Sequence, residues 1–267
     1  VRRAPDSRAE ARWDPARGEI DRDALDGADA VVHLAGEGVG AARWSAAHKK
    51  RVLESRVTGT TLIATTLAAM KSNAALVSSS AVGYYGLRGD EVLTESSSAG
   101  TGFLAEVAKA WEAATTPASD AGVRVVLLRT GIVLGRDGAL KPMLPFFRLG
   151  VGGPLGSGKQ WWSWISLADT VGLIRHAITS TAVSGPMNVT APEPATNADV
   201  ARALGKVLHR PSIVPVPAFA LSLLKGREMT REAILASQRA LPTVALATGY
   251  GFRHPELEGA LAASLKR

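Results

Sequence analysis

The chain has 267 residues, 46% hydrophobic and 21% charged, enough for one large α/β domain or a domain with a smaller lobe. No cysteine is present, which excludes disulfides and thiolate metal sites, and five scattered histidines (33, 48, 176, 209, 254) give no metal-binding pattern. No run of about 18 uninterrupted apolar residues predicts a membrane span, and the net charge of +7 carries no Lys/Arg block of the kind nucleic acid attracts.

Along the chain, residues 1–18 are arginine-rich and begin at Val1. Ala30–Ala35 reads as a short strand ending at Gly36, followed by a glycine-rich loop to Gly40 and a helix from about Ser45 to Lys71. Ala75–Val77 is the next strand; it runs out into Ser78, Ser79 and Ser80, then Tyr84 and Tyr85 between glycines. Hydroxyls at a strand end stand at the carboxyl edge of a sheet, where open α/β folds bind ligands. A helix around 102–121 and the apolar strand Val123–Leu128 come next.

From Gly135 onward, prolines at 142, 145 and 154 and several glycines mark loops and a broken helix. Ser166 is placed to cap a helix reaching about Ser180, with Asp169 in the capping-box position, and Met187–Thr190 reads as the last strand. Residues 191–267 hold helices separated by proline-rich joints such as Pro211–Pro217. Strands alternating with long helices predict a parallel sheet with helical crossovers.

Two segments point further: Ala75–Gly86, with its serines and tyrosines, and Gly153-Pro-Leu-Gly-Ser-Gly-Lys-Gln-Trp-Trp-Ser-Trp-Ile-Ser-Leu-Ala-Asp169. Together they resemble the extended short-chain dehydrogenase/reductases, the NAD(P)-dependent epimerase/dehydratase group, and in particular an epimerase-like subgroup with its own carboxyl-terminal region. The resemblance implies an α/β fold with a Rossmann-type doubly wound sheet. It divides the chain into an NADP-binding domain over 1–190, to which 136–165 adds the substrate side, and a mainly helical cap lobe over 191–267. The family's opening strand and glycine-rich turn have no counterpart here, since Gly36-Glu-Gly-Val-Gly40 follows a later strand. Against that pattern, roughly thirty upstream residues are expected to be missing.

The family pattern also assigns a cofactor side. Arg2 and Arg3 fall where a second strand ends beside the adenosine ribose, and arginines there select the 2′-phosphate of NADP. Trp13-Asp14 falls near the adenine. Leu34, Ala35 and Gly36 line the cofactor, with Ser78 beside them. Arg56 stands where relatives carry an asparagine, and with Arg51 on a neighbouring helix face it is suited to a cofactor phosphate or a substrate anion. Gly131 and Ile132, in Arg129-Thr-Gly-Ile-Val-Leu-Gly135, correspond to a loop whose backbone meets the nicotinamide.

Ser80 is the best match to the catalytic serine, with Ser79 next, and Tyr84 or Tyr85 supplies a phenol, Tyr84 being the closer in sequence. The family's Tyr-x-x-x-Lys pair is absent: Phe103 or Leu104 takes the tyrosine place, and Lys109 is offset from the lysine place. On the substrate side, Gln160 and Trp161 face the cleft, one or two of the neighbouring tryptophans belong to the core, and Met143, Phe146 and Phe147 wall an apolar pocket. The expected function is an NADP-dependent oxidoreductase or epimerase acting on a small molecule, without a nucleic-acid or membrane partner and in the cytoplasm. The alternative is a regulatory protein that binds NADP(H) without turnover.

Overall fold

The computed structural model describes residues 10–265. In chain order its principal elements are β1 (Ala30–His33), α1 (Ala46–Ala69), β2 (Ala75–Ala81), α2 (Phe103–Ala113) and β3 (Val125–Thr130). They continue with β4 (Ile132–Leu134), β5 (Trp164–Ser166), α3 (Leu167–Thr179), β6 (Gly185–Val189), α4 (Asn197–Leu208) and α5 (Ala218–Lys225).

Strands β6, β3, β2 and β1 form, in that order, a parallel four-stranded sheet. On one face Ile63 and Leu67 of α1 pack against Leu76 and Val125. On the other, Leu173 and Ala177 of α3 pack against Val77, Val126 and Met187. The parallel sheet is the one the alternating pattern predicted, and helices on both its faces make the Rossmann-type, doubly wound arrangement that the resemblance implied. β4 pairs in parallel with β5, and their Leu134 and Trp164 join Leu144, Phe147, Leu204 and Leu261 in a separate core.

Several boundaries differ from the sequence reading, three of them for clear physical reasons. β2 continues through the serines to Ala81, because Ser78 and Ser80 are themselves buried within the sheet. The helix expected over 102–121 breaks after Ala113, where Pro117 lacks the N–H that would bond the Ala113 carbonyl and the Thr115 hydroxyl bonds the Glu112 carbonyl at 2.7 Å. β3 starts at Val125 because Val123 is still held by the turn, its N–H donating to Ala118 O.

Ser166 caps α3, its Oγ accepting from Asp169 N–H at 2.9 Å. The Asp169 carboxylate returns to the Ser166 hydroxyl and to the backbone N–H groups of Arg253 and His254, so it ties the carboxyl-terminal segment to this helix start. Burial would raise its pKa, but these donors hold it below the usual carboxylate range. The complete capping box belongs to α4, between Thr196 and Asp199.

Candidate active site at the carboxyl edge of the sheet

Sheet register builds the centre of the site. Ser80 of β2 lies beside Arg129 of β3, and α2 crosses above them to bring in Glu112. The Ser80 hydroxyl donates to Glu112 Oε1 at 2.6 Å, and the Arg129 guanidinium clamps the same carboxylate through Nε and Nη2, both at 2.9 Å. Arg129 Nη1 donates to the Tyr85 hydroxyl at 3.2 Å and to the Glu95 carbonyl, while its guanidinium lies 3.5 Å from the centroid of the Tyr84 ring. Tyr85 passes the chain of bonds on to Asn188 Oδ1 at 2.7 Å. Burial alone would depress the Arg129 pKa; Glu112 and Tyr85 instead hold it above its ordinary value. Burial also raises the Tyr85 phenol, against the opposing pull of Arg129.

The helix that should carry the tyrosine–lysine pair has Leu104, Ala108 and Glu112 four residues apart on one face. Lys109 points to solvent, so it is no substitute for the missing lysine. Tyr84 is partly buried, with its ring against the Arg129 guanidinium, and its hydroxyl bonds no described residue. Phe103 is occupied elsewhere, packed edge-on against Trp44 with Lys49 over its ring.

On the cofactor side, Leu34, Ala35 and Gly36 are exposed just past the end of β1. Arg56 lies directly against Gly36: a Cβ added there would come within 3.2 Å of its guanidinium carbon. Arg56 Nη1 donates to the carbonyls of Glu37 and Val52, and the guanidinium sits 4.8 Å from the Trp111 ring. It makes no ion pair with a described residue, and burial pushes its pKa down, only partly offset by Glu37. Arg51 is more exposed and lies 3.9 Å from the Glu37 carboxylate, so its charge is already met at the surface.

Several expected contacts are closed off. Ser78 is fully buried, its hydroxyl near only the Ser79 carbonyl, and so does not line the cleft beside Leu34. The N–H groups of Gly131 and Ile132 are taken by the carbonyls of Val189 and Ser163, and a Cβ at Gly131 would run into Ser163 O. Glycine is there to let β3 pass β5, and those amides have no hydrogen to offer a nicotinamide. Gln160 is buried and donates to Leu155 O, which makes it a loop fastener. Trp162 and Trp164 are core, whereas Trp161 is half-buried, bonded through Nε1 to Asp90 at 2.8 Å and stacked under Arg239. Phe147 is buried in the second core, while Phe146 is exposed. Asp14 caps a turn through Ala16 N–H and Trp13 packs edge-on against His33. Arg2 and Arg3 lie outside the described residues.

Sequence reading missed Glu112, Glu95, Asn188 and Glu232. The last accepts from Leu104 N–H at 3.4 Å, so the carboxyl-terminal region caps the start of α2, whose own cap residue is Gly102. A charged residue ending the apolar run Val125–Leu128 was the one available signal, and it pointed to Arg129; nothing local marks its partners.

A parallel sheet wrapped by helices on both faces, with polar groups gathered at its carboxyl edge, defines a Rossmann-type protein of the short-chain dehydrogenase/reductase kind. More narrowly, residues 16–190 match the NAD dependent epimerase/dehydratase family and residues 216–264 match a domain of unknown function, DUF1731; the chain belongs to that epimerase family. It is 44% identical over 262 residues to an epimerase family protein of Mycobacterium tuberculosis, covering 98% of this chain and 86% of that one. It is 37% identical to the human epimerase family protein SDR39U1 over 254 residues, covering 93% of this chain and 85% of that protein. The crystal structure of human SDR39U1 isoform 2 with NADPH superposes with a TM-score of 0.85, covering 90% of this chain and 82% of the human one. A nucleoside-diphosphate sugar epimerase from Corynebacterium glutamicum is 39% identical with a TM-score of 0.77, covering 99% of this chain and 51% of its own.

Proposed function

We propose that this protein binds NADP(H) across the carboxyl edge of its sheet and acts as an oxidoreductase or epimerase on a small molecule. The observation that carries the reading is Arg56: a half-buried guanidinium against Gly36, without an ion pair among the described residues, at the edge where such folds receive a dinucleotide. The human relative solved with NADPH supports the choice of cofactor. Leu34, Ala35 and Gly36 would take the cofactor along their exposed backbone, Arg56 would meet a phosphate or a substrate anion, and Arg2 and Arg3 would meet the 2′-phosphate. The cofactor, when bound, supplies hydride transfer. Tyr84, whose hydroxyl bonds no described residue and whose ring lies against the Arg129 guanidinium, would deliver a proton. Ser80 holds Glu112 and hence Arg129 in place.

The alternative, a protein that binds NADP(H) without turnover, is favoured by two features: the Ser80 proton is committed to Glu112, and Leu104 and Ala108 stand where the proton-relay pair would be. Fluorescence titration of the full open reading frame separates cofactor from chemistry. NADPH is expected to bind about tenfold or more tighter than NADH, a gap that Arg2→Ala with Arg3→Ala removes. Turnover on a carbonyl and nucleotide-sugar panel should fall about a hundredfold in Tyr84→Phe with NADPH affinity unchanged. Tight NADPH binding with no turnover on any substrate would establish the non-catalytic reading, and equal binding of both cofactors would refute the NADP preference.

A further inference from the structure

Two long segments of the chain carry no acidic residue. No Asp or Glu occurs between Asp137 and Asp169, nor between Asp199 and Glu228. The fold lays these two acid-free segments side by side: Val214 N–H donates to Gly152 O, Val216 N–H to Pro154 O, Gly156 N–H to Val216 O, and Arg210 Nε to Arg148 O. The second segment then enters α5, which has no buried residue. Leu149, Ile213, Phe219, Leu223 and Leu224 are between 73 and 81% exposed. Lys141, Arg148, Arg210, Lys225 and Arg227 lie on the same segments and form no ion pair with a described residue.

We propose that this face rests on an anionic lipid bilayer, its apolar side chains entering the headgroup region and its unpaired cations meeting the lipid charge. Projecting Leu, Phe and Ile side chains among free Lys and Arg are the composition of an interfacial contact, in which a short helix lies along the membrane plane. Charge decides among occupants. A second copy docked on this face would bring five unpaired cations against their like, with no acidic residue in either segment to receive them. An anionic surface satisfies both features at once. No helix of the described residues is long and apolar enough to cross a membrane, and the proposal requires none. It does revise the expectation of no membrane partner, because hydropathy detects spans and is blind to a surface assembled from two distant segments.

Flotation of the full open reading frame with vesicles tests the idea. The protein should float with vesicles of phosphatidylcholine and phosphatidylglycerol mixed two to one, and stay behind with phosphatidylcholine alone or in high salt. Lys225→Gln with Arg227→Gln should weaken partition about fivefold or more. Phe219→Ser, Leu223→Ser and Leu224→Ser together should abolish it at an unchanged melting temperature, since these side chains support no core. Failure to float with anionic vesicles at low salt overturns the proposal, as does equal binding to neutral ones. Self-association in sedimentation that the triple substitution removes would also overturn it, assigning the face to a second copy.

Discussion

Two arginines stand at the carboxyl edge of the same sheet in opposite states. Arg129, at the end of β3, is buried, clamped by Glu112, bonded to Tyr85 and the Glu95 carbonyl and covered by Tyr84, and its pKa is driven up. Arg56, beside the end of β1, has two carbonyls and an aromatic face, no ion pair among the described residues, and a pKa driven down by burial. A guanidinium whose donors and charge are met by protein belongs to the scaffold; the proposed function gives the one left short of a counter-charge to a ligand. In the proposed binding mode the β3 end is therefore the wall of the site and the β1 end its receptive side.

The strongest way to break this contrast is to unpair the wall. Arg129→Met strands Glu112 in a buried site and should cost about 3–5 kcal/mol by urea denaturation. Arg129→Met combined with Glu112→Leu should recover much of that loss, because neither charge of the pair is left without the other; an additive loss instead would mean the pair has independent roles.

On the receptive side, burial pushes the His33 pKa down to about 4 from 6.5. The unfolded imidazole takes up a proton before the folded one does, so stability is full above the unfolded pKa and falls as pH drops toward the folded value. Between pH 7 and pH 5 the loss should be about 2 kcal/mol, and His33→Gln should flatten that stretch of the profile. An unaltered profile in the variant would place the acid sensitivity elsewhere.

Arg56→Ala should leave stability within about 1 kcal/mol of the parent, yet lower NADPH affinity about tenfold, or 1.4 kcal/mol. If NADPH binding is untouched and only the Michaelis constant of a substrate rises, Arg56 faces the substrate anion. A variant that unfolds as readily as Arg129→Met would erase the distinction between the two arginines. The smallest effect is expected at Lys109, which faces solvent: Lys109→Ala should shift stability by less than about 0.5 kcal/mol and leave cofactor binding and turnover unchanged.

Sequence by itself determined the alternation of strand and helix, the Ser166 cap, a strand at Ala75–Val77 leading to the serines and the absence of Tyr-x-x-x-Lys, because each depends on residues within a few positions of one another. Periodicity and capping are local physics, and so were legible. Only the tertiary structure decided that Ser80 gives its proton to Glu112, that the Gly131 and Ile132 amides are taken, and that Gln160 fastens a loop. The first two outcomes rest on partners far off in sequence: 32 residues away for Ser80, in a neighbouring strand for Gly131 and just before β5 for Ile132. Arg51 and Arg56 looked alike on one helix until Glu37 was seen to carry its carboxylate toward the first and its carbonyl toward the second. Charge compensation depends on what the fold brings within a few ångströms of a group, and a linear sequence does not contain that distance.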